Sequence, residues 1–161
     1  MRQCILGVAV CALLTVDAAG QGADRVASAN GFRDPSNAGG SFDGVKFGGA
    51  DLRRADFRGA SLVEAGLEFV VLDGADFGSA DLSYATVLPN SARYANFTRA
   101  ILLRVTGNGA NFDGAILGVS RAQGANFTGA SFVGAYLADA DLRGASLAFA
   151  NANRRAVGAR I

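Results

Sequence analysis

Few side chains in this sequence could carry out chemistry by themselves. The chain of 161 residues contains no His, which excludes a Ser-His-Asp triad, a Cys-His pair and an HExxH zinc site. The 14 Asp and Glu residues are the groups that remain for acid–base catalysis or cation binding. They recur at regular positions along the chain, so a structural role in a repeat explains their presence without catalysis. We therefore expect no catalytic residue, no metal site and no cofactor.

The element that positions these carboxylates is a five-residue repeat. Leu or Phe fills 18 of the 24 positions reached by taking every fifth residue from Phe42 to Val157. The residue two before this central position is mostly Ala, and the one directly before it is mostly Asp, Asn, Ser or Thr. Gly is common two residues after it. The Leu and Phe residues between 40 and 159 that lie outside the central phase are Phe69, Leu88, Leu103 and Phe149.

A period of five fits neither an α-helix, which needs apolar spacings of three and four, nor a strand, which needs two. It fits a square coil in which each unit of five forms one side and 20 residues complete a turn. The central residue and the preceding Ala then point inward, and the other three residues face solvent. Gly would supply the positive φ of the corners. The short polar residues would hydrogen bond backbone groups near the corners.

The repeat resembles that of the pentapeptide-repeat family, A-(D/N)-L-x-x, over about residues 40 to 159. Eight units match it directly: ANFDG, ADLRR, ADFRG, ADFGS, ADLSY, ANFTR, ANFTG and ADLRG. The resemblance implies an all-β fold, a right-handed quadrilateral parallel β-helix. We expect about six coils, with the rings of Phe57, Phe77 and Phe97 stacked on one inner face.

Some units depart from the family pattern because their central residue is small. These central residues are Ala92, Gly107, Ala122 and Ala152. We interpret these units as looser coils or bulging corners. The segment Val87-Leu88-Pro89-Asn90 is also atypical, and the sequence leaves open whether the 20-residue register continues across it.

Stacked coils place residues 20 apart above one another at about 4.8 Å, the spacing of neighbouring strands. One outward column then alternates in charge and is a candidate surface ladder, which we interpret as mainly structural: Arg53, Asp73, Arg93 and Asp113. A neighbouring column stacks like charges: Asp56, Asp76 and Asn96. It could bind a cation, but surface carboxylates of this kind are more often simply solvated.

The N-terminus has the layout of a secretory signal peptide. A short basic start precedes 13 apolar or small residues, Cys4 to Val16, and small residues follow. This run is shorter than the ~20 residues of a transmembrane helix. We predict a signal peptide over 1–20, a linker or N-terminal cap over 21–39 and a β-helix over 40–159. A buried N-terminal helix or strand is the alternative. Both cysteines, Cys4 and Cys11, would leave with the signal peptide.

These features favour an exported protein, periplasmic or secreted, without a stable membrane anchor. We expect a non-catalytic scaffold that binds other proteins through flat outer faces. The formal net charge of +1 gives no reason to expect nucleic acid as a partner. The alternative is a DNA-mimicking topoisomerase-protection protein, a function that the family resemblance brings in. Such a protein should be strongly acidic and cytosolic. Weak self-association is expected through the C-terminal end, where the last coil exposes backbone edges.

Overall fold

The computed structural model describes residues 37–88 and 91–152. Over these residues the chain winds as a four-sided coil, and this part contains neither an α-helix nor a continuous strand. Each side instead contributes a single bridge residue, from Ser41 to Asn151, and every bridge is parallel and joins residues 20 apart. The predicted quadrilateral parallel β-helix is therefore confirmed.

We number the coils from residue 41, so that coil 1 is 41–60, coil 2 is 61–80, and coil 6 begins at 141. The four sides of a coil are numbered in chain order, and in coil 1 they are centred on Phe42, Phe47, Leu52 and Phe57. The first and last bridge residues are 110 residues apart, which is five and a half turns. The number of coils agrees with the prediction.

The repeat geometry begins slightly before residue 40. The side chain of Asn37 is buried at a central position. The backbone amide of Asn37 donates to the backbone carbonyl of Asp56 at 2.7 Å. At the other uncertain point, bridges join Gly66 to Thr86 and Val71 to Ser91. The 20-residue register therefore continues across the Pro89 segment. Residues 89–90, like the predicted signal peptide and most of the predicted linker, lie outside the described residues.

The interior is filled by the central side chains and the alanines that precede them. On the fourth side, the rings of Phe57, Phe77 and Phe97 stack with centroid separations of 5.2 and 5.1 Å and interplanar angles of 3°. This column was predicted from the 20-residue spacing and is confirmed. Phe77 has no exposed surface and lies between the other two rings.

The prediction of looser coils at small central residues is wrong. Ala92, Gly107 and Ala122 are buried, and the bridges around them keep the 20-residue spacing. Rings from neighbouring positions occupy the space, since a Cβ atom added to Gly107 would lie 2.9 Å from the ring of Phe127. These rings, which contact one another at centroid distances of 5.1 to 5.6 Å, are those of Phe112, Phe127 and Phe132. A small central residue thus accommodates a large neighbour. Ala152, at the end of the described chain, is exposed.

Every corner in the described residues uses the same turn. The carbonyl of the central residue accepts a hydrogen bond from the amide three residues later, as between Phe47 and Ala50 at 2.9 Å. The residue two after the centre has a positive φ, between 52° and 75°. Glycine occupies eleven of these positions and other residues occupy another eleven. The expectation that glycine supplies this conformation therefore holds at only half of the corners.

Truncating Phe77 to Ala should lower the free energy of unfolding by ~3–5 kcal/mol, because the rings on either side cannot collapse into the cavity. Phe77→Leu should cost much less, since Leu117 and Leu137 fill the same position on later coils. Urea denaturation of the three proteins measures the difference. A loss below ~1 kcal/mol for the alanine variant would contradict a filled interior.

Replacing Val119 by Gly should raise the free energy of unfolding by up to ~1 kcal/mol, because a β-branched residue is strained at its φ of 59°. Val133 is the matched control. It is the other exposed valine of a described corner, but its φ is not positive. Val133→Gly should therefore destabilise by ~0.5–1 kcal/mol. Equal effects of the two substitutions in urea denaturation would show that the corner strain is not real.

Candidate functional site

The predicted surface ladder lies on the third side of coils 1 to 4. Bridges between Asp51 and Val71, Val71 and Ser91, and Ser91 and Asn111 stack the segments that carry it. The ladder residues, each directly after a central position, are Arg53, Asp73, Arg93 and Asp113. The structure therefore brings the four residues into one outward column.

The charged groups of this column interact mainly with residues that do not belong to the column. The guanidinium of Arg53 donates to Asp51, with Nε 2.8 Å from Oδ1, and this hydrogen bond is the main cause of the raised pKa of Arg53. The charge of Asp73 contributes least to that shift. The guanidinium of Arg93 lies 5.5 Å from the ring centroid of Tyr94. An alternating chain of ion pairs is thus not how the column is arranged.

Its aspartates instead tie consecutive coils together. Asp73 accepts the hydroxyl of Ser91 at 2.6 Å and the backbone amide of Arg93 at 3.0 Å, both on the coil above. Asp113 does the same with Ser131 and Val133, at 2.5 and 2.9 Å. The same arrangement recurs outside the ladder at Asp43, Ser61 and Val63. The sequence signal for this tie is a serine 18 residues after an aspartate, which the sequence analysis missed.

Asp and Asn residues directly before central positions, in contrast, accept hydrogen bonds from the backbone of their own turns. The Asp76 carboxylate accepts the amide of Gly78 at 2.9 Å and the Asn96 side chain at 2.9 Å. In the same column, Asp56 pairs with Arg58, whose Nε lies 2.9 Å from Oδ1. Among residues 37–88 and 91–152, no group of three or more His, Cys, Asp or Glu is arranged to hold a metal ion.

Asp141 is the carboxylate whose protonation is most affected. Arg143 donates a side-chain hydrogen bond to it at 2.9 Å, and this holds the pKa of Asp141 well below its usual range. The backbone amide of Arg143 and the side chain of Gln123 act in the same direction. Because the group lies at the surface, this arrangement is an ordinary surface ion pair.

Two outward surfaces carry large apolar side chains. The first, which we call the Phe69 surface, flanks the second side of coils 2 to 4 and consists of Phe69, Tyr84, Leu88 and Leu103. It contains three of the four Leu and Phe residues that fall outside the central phase. Phe69 is 69% exposed and Tyr84 is 54% exposed. The signal that could have identified it is the phase itself, because the repeat gives no structural reason for these residues.

The second surface, the Val119 surface, covers the fourth side of coils 3 to 5 and consists of Arg99, Ile116, Val119, Tyr136 and Asp139. Ile116, Val119 and Tyr136 are 42%, 53% and 54% exposed. Sequence analysis did not single it out, since each of its residues occupies an ordinary outward position.

The part of the chain that the structure describes contains no helix with the length and hydrophobicity needed to cross a membrane.

The sequence was also compared with known proteins. The family profile for pentapeptide repeats matches eight copies, over residues 41–78 and 123–154. None of the curated proteins is significantly similar.

Several solved structures are similar to this chain. A pentapeptide repeat protein from the thylakoid lumen of Arabidopsis thaliana is 30% identical, over 65% of this chain and 66% of its own, with a TM-score of 0.43. One from the cyanobacterium Cyanothece 51142 is 28% identical, over 58% and 60%, with a TM-score of 0.36. HetL from Nostoc, described as involved in heterocyst differentiation regulation, is 24% identical, over 71% and 68%, with a TM-score of 0.30.

The chain thus spans slightly less than two thirds of the Arabidopsis protein and 60% of the Cyanothece protein. The matched repeats lie at both ends of the region in which every side contributes one parallel bridge at a 20-residue spacing. This chain therefore belongs to the pentapeptide-repeat family and has its right-handed quadrilateral β-helix.

Proposed function

We propose that this protein is an exported, non-catalytic scaffold that binds another protein through its outer faces, chiefly through the Phe69 surface. The observation that carries the proposal is the position of Phe69, Leu88 and Leu103 along the two edges of the second side of the coil. The fold requires Leu or Phe only at inward positions. Large apolar side chains that the fold does not need, gathered on a solvent-facing surface, are typical of a protein-binding site.

The backbone holds the members of this surface close together in two pairs. The amide of Phe69 donates to the carbonyl of Leu88 at 2.8 Å, and the amide of Tyr84 donates to that of Leu103 at 2.8 Å. The two pairs lie at opposite edges of the second side. Between them runs a column of small residues: Gly66, Thr86 and Thr106. The result is a shallow floor between two apolar ridges, which suits an extended protein segment.

Phe69 is also energetically unfavourable at its position. It is 69% exposed, and its φ of 57° is one that glycine would adopt without strain. A residue that adds nothing to the core and strains the corner is better explained by a contact with a partner. Phe149 is also exposed and has a φ of 58°, but it lies on coil 6, away from Leu88 and Leu103. The apolar neighbours of Phe69 therefore favour it as the anchor of the surface.

Other functions fit the chain less well. An enzyme would have to rely on carboxylates, and Asp73, Asp113 and Asp141 are engaged in hydrogen bonds with their own chain. A DNA mimic should be strongly acidic, whereas the chain has 15 Lys and Arg residues against 14 Asp and Glu residues. A scaffold that binds proteins needs neither free carboxylates nor a strongly acidic surface.

The test of the binding surface is Phe69→Ser, with Phe149→Ser as the matched control. Both residues occupy the same repeat position on the second side, with φ values of 57° and 58°, so both changes should affect folding similarly. Tagged wild-type and variant proteins are expressed in the native cell, and cross-linked partners are identified by mass spectrometry. The affinity of the recovered partner is then measured with each purified variant.

Phe69→Ser should weaken binding at least about tenfold, because a central aromatic anchor is lost, whereas Phe149→Ser should bind like the wild type. Equal binding by the two variants would remove the Phe69 surface from the proposal. The absence of any partner that binds the purified wild type would contradict the scaffold function itself.

Export is tested separately, by N-terminal sequencing of protein recovered from the native cell. The apolar run from Cys4 to Val16 supports removal of residues up to Ala18 or Gly20. The expected N-terminus is therefore Ala19 or Gln21, in protein found outside the cytoplasm. An intact Met1 in a cytosolic protein would contradict export.

A further inference from the structure

We propose that two copies of this chain associate side by side and antiparallel through the Val119 surface, which is complementary to itself. This association does not use the Phe69 surface, which lies on another side of the coil, and does not depend on the proposed function. Its basis is a column in which a positive charge, an apolar residue and a negative charge follow one another on consecutive coils.

The column consists of Arg99, Val119 and Asp139. Their backbones are stacked by hydrogen bonds from the amide of Arg99 to Gly118 at 3.0 Å and from the amide of Val119 to Ala138 at 2.9 Å. The three φ values are 59°, 59° and 57°, so each residue leaves the same kind of corner in the same direction. All three are exposed.

Both charges of this column are available to a partner. Within the described residues, neither the Arg99 guanidinium nor the Asp139 carboxylate has an ion pair or a side-chain hydrogen bond, whereas Arg53, Arg58 and Arg143 each pair with an aspartate two residues earlier. Two coils, about 10 Å, separate the backbones of Arg99 and Asp139. The two side chains form no ion pair with each other among the described residues.

Between these charges the surface is apolar. The ring of Tyr136 lies over Gly118, where an added Cβ atom would be 2.9 Å from it. The ring therefore covers the middle of the side and leaves Ile116 and Val119 beside it. The same side of coils 1 and 2 is polar, with Asp56, Arg58 and Asp76. The apolar character is thus confined to the coils around Val119.

A two-fold axis through coil 4, perpendicular to the coil stack and lying in the contact plane, makes this surface match itself. It places coil 3 of one copy against coil 5 of the other. Val119 then faces its own equivalent, and Ile116 does the same. Arg99 of each copy faces Asp139 of the other, so one symmetric contact forms two ion pairs around an apolar centre.

The surface area that this contact can bury is small, so we expect a weak association. Centred on coil 4, the two copies overlap over five coils, about 24 Å along the stack. One side of so narrow a coil covers less than the ~800 Å² per partner of a stable complex. The dimer should therefore be weak, should depend on protein concentration and should weaken with salt as its ion pairs are screened.

The test is sedimentation equilibrium of the protein as recovered from the native cell, with charge-reversed variants. Arg99→Asp and Asp139→Arg, each alone, turn both attractive contacts into repulsive ones. Each should lower the association constant at low salt by at least about tenfold. The double variant with Arg99→Asp and Asp139→Arg restores opposite charges across the axis. Its association constant should return to within about threefold of the wild type.

Arg104→Asp is the matched control, since Arg104 has the same repeat position and a positive φ of 52° but lies on the first side. It should associate like the wild type, and circular dichroism should show all variants folded. A wild type that stays monomeric at every concentration would overturn the proposal. So would single variants that associate normally, as contact through the C-terminal end or a parallel arrangement predicts. A double variant whose association is not restored would also overturn it.

Discussion

The return of the backbone to the same side after 20 residues is the constraint on which the rest of the structure depends. It lets the amide of Phe77 reach the carbonyl of Asn96 at 2.7 Å, and equivalent bonds repeat on every side. It also requires a left-handed residue at each corner, whether or not that residue is glycine. The strain of the eleven non-glycine corners is maintained by the hydrogen bonds between coils. Residues at the outer corner positions therefore affect stability mainly through backbone conformation.

The same constraint explains the charged ladder. The amide directly after a central residue does not reach the next coil, so a side chain must satisfy it or leave it to solvent. Asp or Asn before the centre does so within its own turn, as Asp76 does for Gly78 at 2.9 Å. Where serine stands before the centre, as at Ser91, the aspartate of the coil below replaces it. Asp73 is thus a connector between coils, and its alternation with arginine is secondary.

Sequence reasoning succeeded where the repeat imposes a period and failed where side chains from different sides meet. The five-residue phase was enough to place Phe57, Phe77 and Phe97 in one column. It could not show that the ring of Phe127 packs against those of Phe112 and Phe132, because these contacts join different sides of the interior. The sequence also could not identify the partners of the charged residues, since Arg53 has aspartates both on its own coil and on the next. The outward apolar surfaces follow no repeat rule, and only the misplaced phase of residues such as Phe69 pointed to one of them.

Amide hydrogen exchange, followed residue by residue by NMR, tests the central claim of a 20-residue closure most directly. Exchange should be slow at central residues and at the left-handed corner residues and fast directly after the centre, with a period of five. The informative pair is Arg93 and Leu103, which share that fast position. The Arg93 amide, held by Asp73 at 3.0 Å, should exchange slowly, and the Leu103 amide, for which the described residues provide no acceptor, should exchange fast. Slow exchange over continuous runs of residues, without the period of five, would contradict the 20-residue closure. So would an Arg93 amide that exchanges as fast as that of Leu103.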